Sequence, residues 1–181
     1  TDVPEAAVRP DAGPAYPEGC ENVSPYDCLL PWPSSYFLHE DATTATGVHI
    51  DLPADGMPRT RRGRMPVDPG IYARFDGFSP ATSMVTVLAP DIDRASLPDE
   101  RHIADSLAEA SPTVLLEVAS DGSTTRVAHY AELDDWEDMD PERRPLYIRP
   151  AARLRPRTRY VVAIRGVTRM DGSPVEPSAF F

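Results

Sequence analysis

Proline occupies 21 of the 181 positions, more than twice its usual share of about 5%. Proline lacks a backbone N–H, and its ring clashes with the preceding helical turn. Long helices are therefore interrupted before they can form, and a helical bundle is close to excluded. Short extended segments joined by turns remain. Hydrophobic residues make up 41% of the chain, enough for one core, and the length suits one domain. No apolar run approaches the ~18–20 residues that cross a bilayer. Thr1-Asp2-Val3-Pro4-Glu5 lacks the charged-then-apolar order of a targeting signal, so the segment reads as soluble, with any export signal upstream of it.

The net charge of -11 is unevenly placed. Residues 1–50 carry -7, 51–66 carry +2, 67–140 carry -12, 141–169 carry +8 and 170–181 carry -2. A net negative field repels phosphate backbones, which argues against nucleic-acid binding. All 18 basic residues are Arg, a uniformity that fits the codon bias of a GC-rich genome. The block from Arg143 to Arg169 reads either as a docking face for an acidic partner or as solvated positions paired with the acidic middle.

Along the chain, residues 1–19 hold Pro4, Pro10, Pro14 and Pro17 without periodicity and read as an extended or disordered Pro/Ala-rich arm, with one domain following over 20–181. Cys20 and Cys28 enclose a short proline-containing loop with an Asn22-Val23-Ser24 sequon. An even cysteine count without nearby His or Cys partners predicts a disulfide rather than a zinc site, and hence an exported protein. Leu29 to Leu38 is apolar, aromatic and proline-broken, an irregular edge segment. Gly47–Leu52 alternates as a strand, with His49 facing away from the core. Residues 53–70 read as a long loop.

Further strands are expected at 84–88, 113–118, 146–148 and 160–164, and Asp121-Gly122 predicts a hairpin whose second arm runs through 124–130. One short helix, of as little as a turn or two, is expected within 99–110, capped by Asp99, with Ile103 and Leu107 as its apolar stripe. Met170-Asp171-Gly172-Ser173-Pro174-Val175 reads as a tight turn. Six or seven short strands with at most one short helix define an all-β antiparallel sandwich.

The segment Leu154-Arg155-Pro156-Arg157-Thr158-Arg159-Tyr160, followed by Val161-Val162 and the Asp171-Gly172 turn, resembles the bacterial Ig-like pattern of a Leu-x-Pro-x-Thr-x-Tyr corner feeding a strand. With Leu30-Pro31-Trp32-Pro33-Ser34-Ser35-Tyr36-Phe37-Leu38 early and Asp76-Gly77-Phe78-Ser79-Pro80-Ala81-Thr82 centrally, residues 28–181 resemble the N-terminal Ig-like domain of secreted or surface-anchored bacterial lipases and esterases. That resemblance implies an Ig-like fold, an extracellular or cell-surface location, a lipid anchor or export signal upstream, and a catalytic α/β-hydrolase domain beyond Phe181 as the partner. It implies a non-catalytic accessory role, without a cofactor, for residues 1–181.

Gly77-Phe78-Ser79-Pro80-Ala81 is the nearest approach to a nucleophile elbow, but Pro80 stands where an oxyanion N–H is needed, so Ser79 reads as a turn residue. His39, His49, His102 and His129 lack zinc spacing. The acidic run offers Asp134, Asp135, Glu137, Asp138 and Asp140 as candidate calcium ligands, against the reading of a solvated loop. Trp32, Tyr36 and Phe37 read as an aromatic contact surface or as core packing. Arg153, Arg155, Arg157 and Arg159 are the candidate interdomain contacts. Besides the accessory domain, a free-standing extracellular ligand-binding module, calcium-dependent in one form, and a small esterase built on Ser79 fit these features.

Overall fold

In the computed structural model, residues 18–21, 23–24, 27–62, 64–135 and 143–177 are described. Most of the proposed arm lies outside them. Among the described residues, eight strands form three antiparallel sheets. Strands β1 (Leu38–Glu40) and β2 (Val48–Ile50) pair as a hairpin. β3 (Met84–Thr86), β7 (Leu146–Pro150) and β6 (His129–Leu133) form one face of a sandwich in the order β3-β7-β6. β4 (Thr113–Val118), β5 (Thr124–Arg126) and β8 (Arg159–Ile164) form the other, in the order β5-β4-β8. The only helical turns among the described residues are short 3-10 turns.

Two-residue alternation sets the sandwich. Leu146 and Ile148 point inward with Ala131, Leu133 and Met84, while Tyr147 and Arg149 point outward. Leu115 of β4, fully buried, meets this layer from the opposite sheet. On the outer side Arg149 lies over the Tyr147 ring at 4.7 Å and donates to Glu132 at 2.5 Å. β3, β7 and β6 stand in the B-E-D order of an Ig-like sandwich, and β5, β4 and β8 in the C′-C-F order.

A second cluster surrounds the β1–β2 hairpin, with Phe37, Ile50, Leu52 and Met57 buried and Trp32 and Phe78 packed on them. It joins the sandwich through Trp32 and Val85, which exchange backbone hydrogen bonds of 2.8 and 2.6 Å. Cys20 and Cys28 are disulfide-bonded, and the bridge rests on the turn at Gly56, where a Cβ would fall 2.1 Å from Cys28 Sγ.

Three expectations need correction. The second arm of the hairpin is two strands. After β5, the Val127 N–H still bonds Leu115 O at 2.8 Å, but Ala128 then accepts from Ala151, and the chain has crossed to the opposite sheet. The 53–70 loop contains a small antiparallel bridge between Arg59 and Pro66. Within 99–110 the short helix is a 3-10 turn over Ile103–Leu107 rather than an α-helix, and Asp99 does not cap it but closes a separate turn on the N–H groups of Arg101 and His102 at 2.8 and 2.9 Å. With three residues per turn, the residue sharing Ile103's face is Ser106 rather than Leu107. Ser106 is buried, and Leu107 is 45% exposed.

Candidate functional site

The crossing from β7 to β8 is built by the Leu-x-Pro-x-Thr-x-Tyr segment. Leu154 is buried and its N–H bonds Pro80 O at 3.0 Å, which pins the start of the crossing to the sandwich. The Arg155 N–H donates to Tyr160 Oη at 2.9 Å, and the hydroxyl donates to Glu117 Oε2 at 3.1 Å. Tyr160 near the start of β8, bonded back to backbone a few residues upstream, has the geometry of a tyrosine corner. Arg155 completes the unit through a fork-to-fork pair with Glu117, its Nε 2.9 Å from Oε2. Hydrogen bonding from Arg155 first, then from Tyr160, holds the Glu117 carboxyl below its ordinary pKa against partial desolvation.

The four candidate contact arginines therefore divide. Arg155 is committed to Glu117, whereas Arg153, Arg157 and Arg159 project from the exposed crossing and the start of β8. Arg157 holds a left-handed backbone, φ 52°, which lets the turn tighten between Pro156 and Thr158.

The aromatic surface does not form as a unit. Phe37 is 1% exposed and belongs to the second core. Trp32 packs edge-on against Phe78 at 5.0 Å. Only Tyr36 remains outside, 48% exposed. A single ring cannot offer the stacking platform that three would.

Ser79 closes its own turn, accepting from the Ala81 N–H at 3.2 Å while its carbonyl takes the Thr82 N–H at 3.0 Å. Of the acidic run, Glu137, Asp138 and Asp140 lie outside the described residues. Asp135 forms a bidentate pair with Arg94, which lowers its carboxyl pKa. The Asp134 N–H continues the β6–β7 pairing onto Pro145 O at 2.9 Å. No three His, Cys, Asp or Glu side chains among the described residues are placed to hold a metal ion.

The histidines occupy separate regions. His39 and His49 face each other across the β1–β2 hairpin, and His102 pairs with Asp99 at 2.8 Å. His129 is fully buried. Its Nδ1 lies 2.9 Å from Val127 O, which can only accept, so the proton sits there and Nε2 accepts from the Thr113 hydroxyl at 2.9 Å. The His129 N–H donates to Ser106 Oγ at 3.1 Å, and Ser106 and Thr113 are buried with it. Burial, aided by the Arg126 charge, pushes the imidazole pKa below its ordinary value. This polar knot went unseen in the sequence, although His129-x-Ala131-x-Leu133 carries the alternation that puts the ring inside.

The outer face of the β5-β4-β8 sheet holds a shallow 490 Å³ depression lined by Val114, Leu116, Thr124, Arg126, Ala163 and Arg165. Arg126 and Arg165 both reach the Glu109 carbonyl at its rim. In comparisons with protein families, curated proteins and solved structures, nothing matches the chain. The class is set by the fold itself, an all-β sandwich of antiparallel sheets with one disulfide. No helix among its described residues is long and apolar enough to cross a membrane.

Proposed function

We propose that the chain is a non-catalytic accessory domain of an exported, bacterial hydrolase-like protein, packing against or positioning a catalytic domain outside residues 1–181. The observation that carries this reading is the Tyr160 corner, seated at the β7–β8 crossing of a sandwich with Ig-like strand order. Its Leu154, Pro156, Thr158 and Tyr160 are the most specific part of the resemblance to the N-terminal domains of bacterial lipases and esterases. Exposed Arg153, Arg157 and Arg159 beside the corner supply a cationic surface for a neighbouring domain. The disulfide supports an oxidising, exported setting.

The test joins genetics to an assay. The reading frame on both sides of residues 1–181 is sequenced, and hydrolysis of p-nitrophenyl butyrate is measured for the chain alone and for the extended protein. Turnover by the extended protein only, indifferent to Ser79→Ala, is the expected result. Turnover by residues 1–181 alone, abolished by Ser79→Ala, overturns it.

A further inference from the structure

The β1–β2 hairpin has an inner and an outer face. Leu38 and Ile50 stand opposite each other and turn into the second core. By two-residue alternation the next pair, His39 opposite His49, lies on the outer face, and Asp41 continues that face two residues after His39. The Asp41 N–H bonds Gly47 O at 2.8 Å, so Asp41 sits opposite Gly47 and diagonal to His49. At Gly47, φ 80°, a Cβ would meet nothing within 4 Å, which leaves this corner of the face open.

Two electron-rich atoms meet there without a hydrogen bond. His49 Nδ1 is buried and has no hydrogen-bond partner among the described residues, a costly state for a polar atom. Asp41 Oδ1 accepts from the Thr43 N–H at 2.9 Å and the Thr43 hydroxyl at 2.6 Å, which fixes the carboxylate and leaves Oδ2 unbonded among the described residues. Oδ2 lies 3.6 Å from His49 Nδ1, beyond hydrogen-bond reach. The gap has the size of a coordination edge. With metal–ligand distances near 2.1 Å, two ligands of a tetrahedral ion stand about 3.4 Å apart, and neighbouring ligands of an octahedral ion about 3.0 Å. The separation suits the tetrahedral ion. The imidazole makes the same choice, because magnesium and calcium take oxygen ligands and zinc takes nitrogen.

We propose that His39, Asp41 and His49 form a zinc site on the outer face of the β1–β2 hairpin, with water as the fourth ligand. His49 Nδ1 and Asp41 Oδ2 are placed for it as they stand. The three side chains are not yet gathered about one point, and His39 completes the set by turning its exposed ring. The two ring centroids are 6.1 Å apart, and imidazoles sharing a tetrahedral ion have centroids about 5 Å apart, so a side-chain rotation without backbone movement closes the difference. Thr43 supplies the outer-shell hydrogen bonds that ligating carboxylates carry. Bound zinc ties β1 to β2 and satisfies the buried nitrogen. The site stands whether or not the accessory-domain reading does.

The experiment titrates the untagged, oxidised, chelator-stripped 181-residue chain with zinc chloride, by calorimetry and by NMR of the histidine rings, with magnesium chloride as the control. One equivalent of zinc is expected to bind, moving the ring signals of His39 and His49 together while those of His102 and His129 stay in place, and to raise the melting temperature. His39→Ala, His49→Ala and Asp41→Asn are each expected to weaken binding about tenfold or more, and His102→Ala to leave it unchanged. His39 is exposed, so His39→Ala tests the site even where His49→Ala loosens the hairpin. No saturable zinc binding, binding that survives His39→Ala, an equal loss with His102→Ala, or the same ring shifts with magnesium overturns the proposal.

Discussion

The Tyr160 hydroxyl accepts the Arg155 N–H at 2.9 Å and donates its own hydrogen bond to Glu117 Oε2 at 3.1 Å, so one phenol ties the β7–β8 crossing to β4. Tyr160→Phe keeps the ring and deletes both bonds. Removing a hydrogen bond of this kind costs about 1 kcal/mol, more where the orphaned partner is poorly hydrated. Urea unfolding of the Phe variant is expected to show a loss of about 1–2 kcal/mol with an unchanged m-value. A loss indistinguishable from zero would remove the corner from the account of what holds β8.

Much of this corner was legible because it is local. Leu154, Pro156, Thr158 and Tyr160 lie within seven residues, and a turn chemistry written in neighbours can be read from neighbours. β4 was legible for the same reason, as a clean β-rich run over 113–118. The fate of Arg155 was not, because its partner Glu117 is 38 residues away and nothing in the alternating arginines distinguishes 155 from 153 or 157. The sheet switch at Val127-Ala128 carries neither Gly nor Pro to mark it. Ser106 enters the core through a three-residue period, whereas the Ile103–Leu107 spacing points to a helical one. The pairing of β8 with β4 joins residues more than 40 positions apart, which no segment shows by itself.

His129 predicts a pH dependence. Its imidazole is buried neutral, with a pKa depressed by burial, so between the folded and unfolded pKa values the unfolded chain binds the extra proton. The stability it contributes is fully present above the unfolded value of about 6.5 and is lost as pH falls below it, at up to about 1.4 kcal/mol per pH unit. Urea midpoints at pH 7.5, 6.5 and 5.5 measure this. A His129→Gln variant is expected to be less stable at pH 7.5 and flatter over the same window, whereas an equal slope in both proteins would place the titration elsewhere.

Gly56 packs against the disulfide so closely that any Cβ must displace Cys28 Sγ or the turn backbone. Gly56→Ala is expected to cost about 1–3 kcal/mol by overpacking. Replacing both cysteines with alanine removes the sulfur and should recover a large part of that penalty. The double-mutant cycle then gives a coupling energy well above the ~0.5 kcal/mol expected of independent sites. Strict additivity would show that the turn moves away freely.

The direction of the β8 amides can be tested by proline alone. The Val161 N–H points at Leu116 in the β4 ladder, and the Val162 N–H points away from it. Proline deletes the N–H at either position, but among the described residues only at 161 does the loss fall on a ladder bond. An edge strand tolerates proline where its N–H faces outward. Val161→Pro is therefore expected to cost about 3 kcal/mol or more, and Val162→Pro a small fraction of that, as judged by thermal unfolding of the two variants side by side. If the order reverses, the β4–β8 register is shifted by one residue. The outer face that carries Arg159, Val161, Ala163 and Arg165 would then be the inner one.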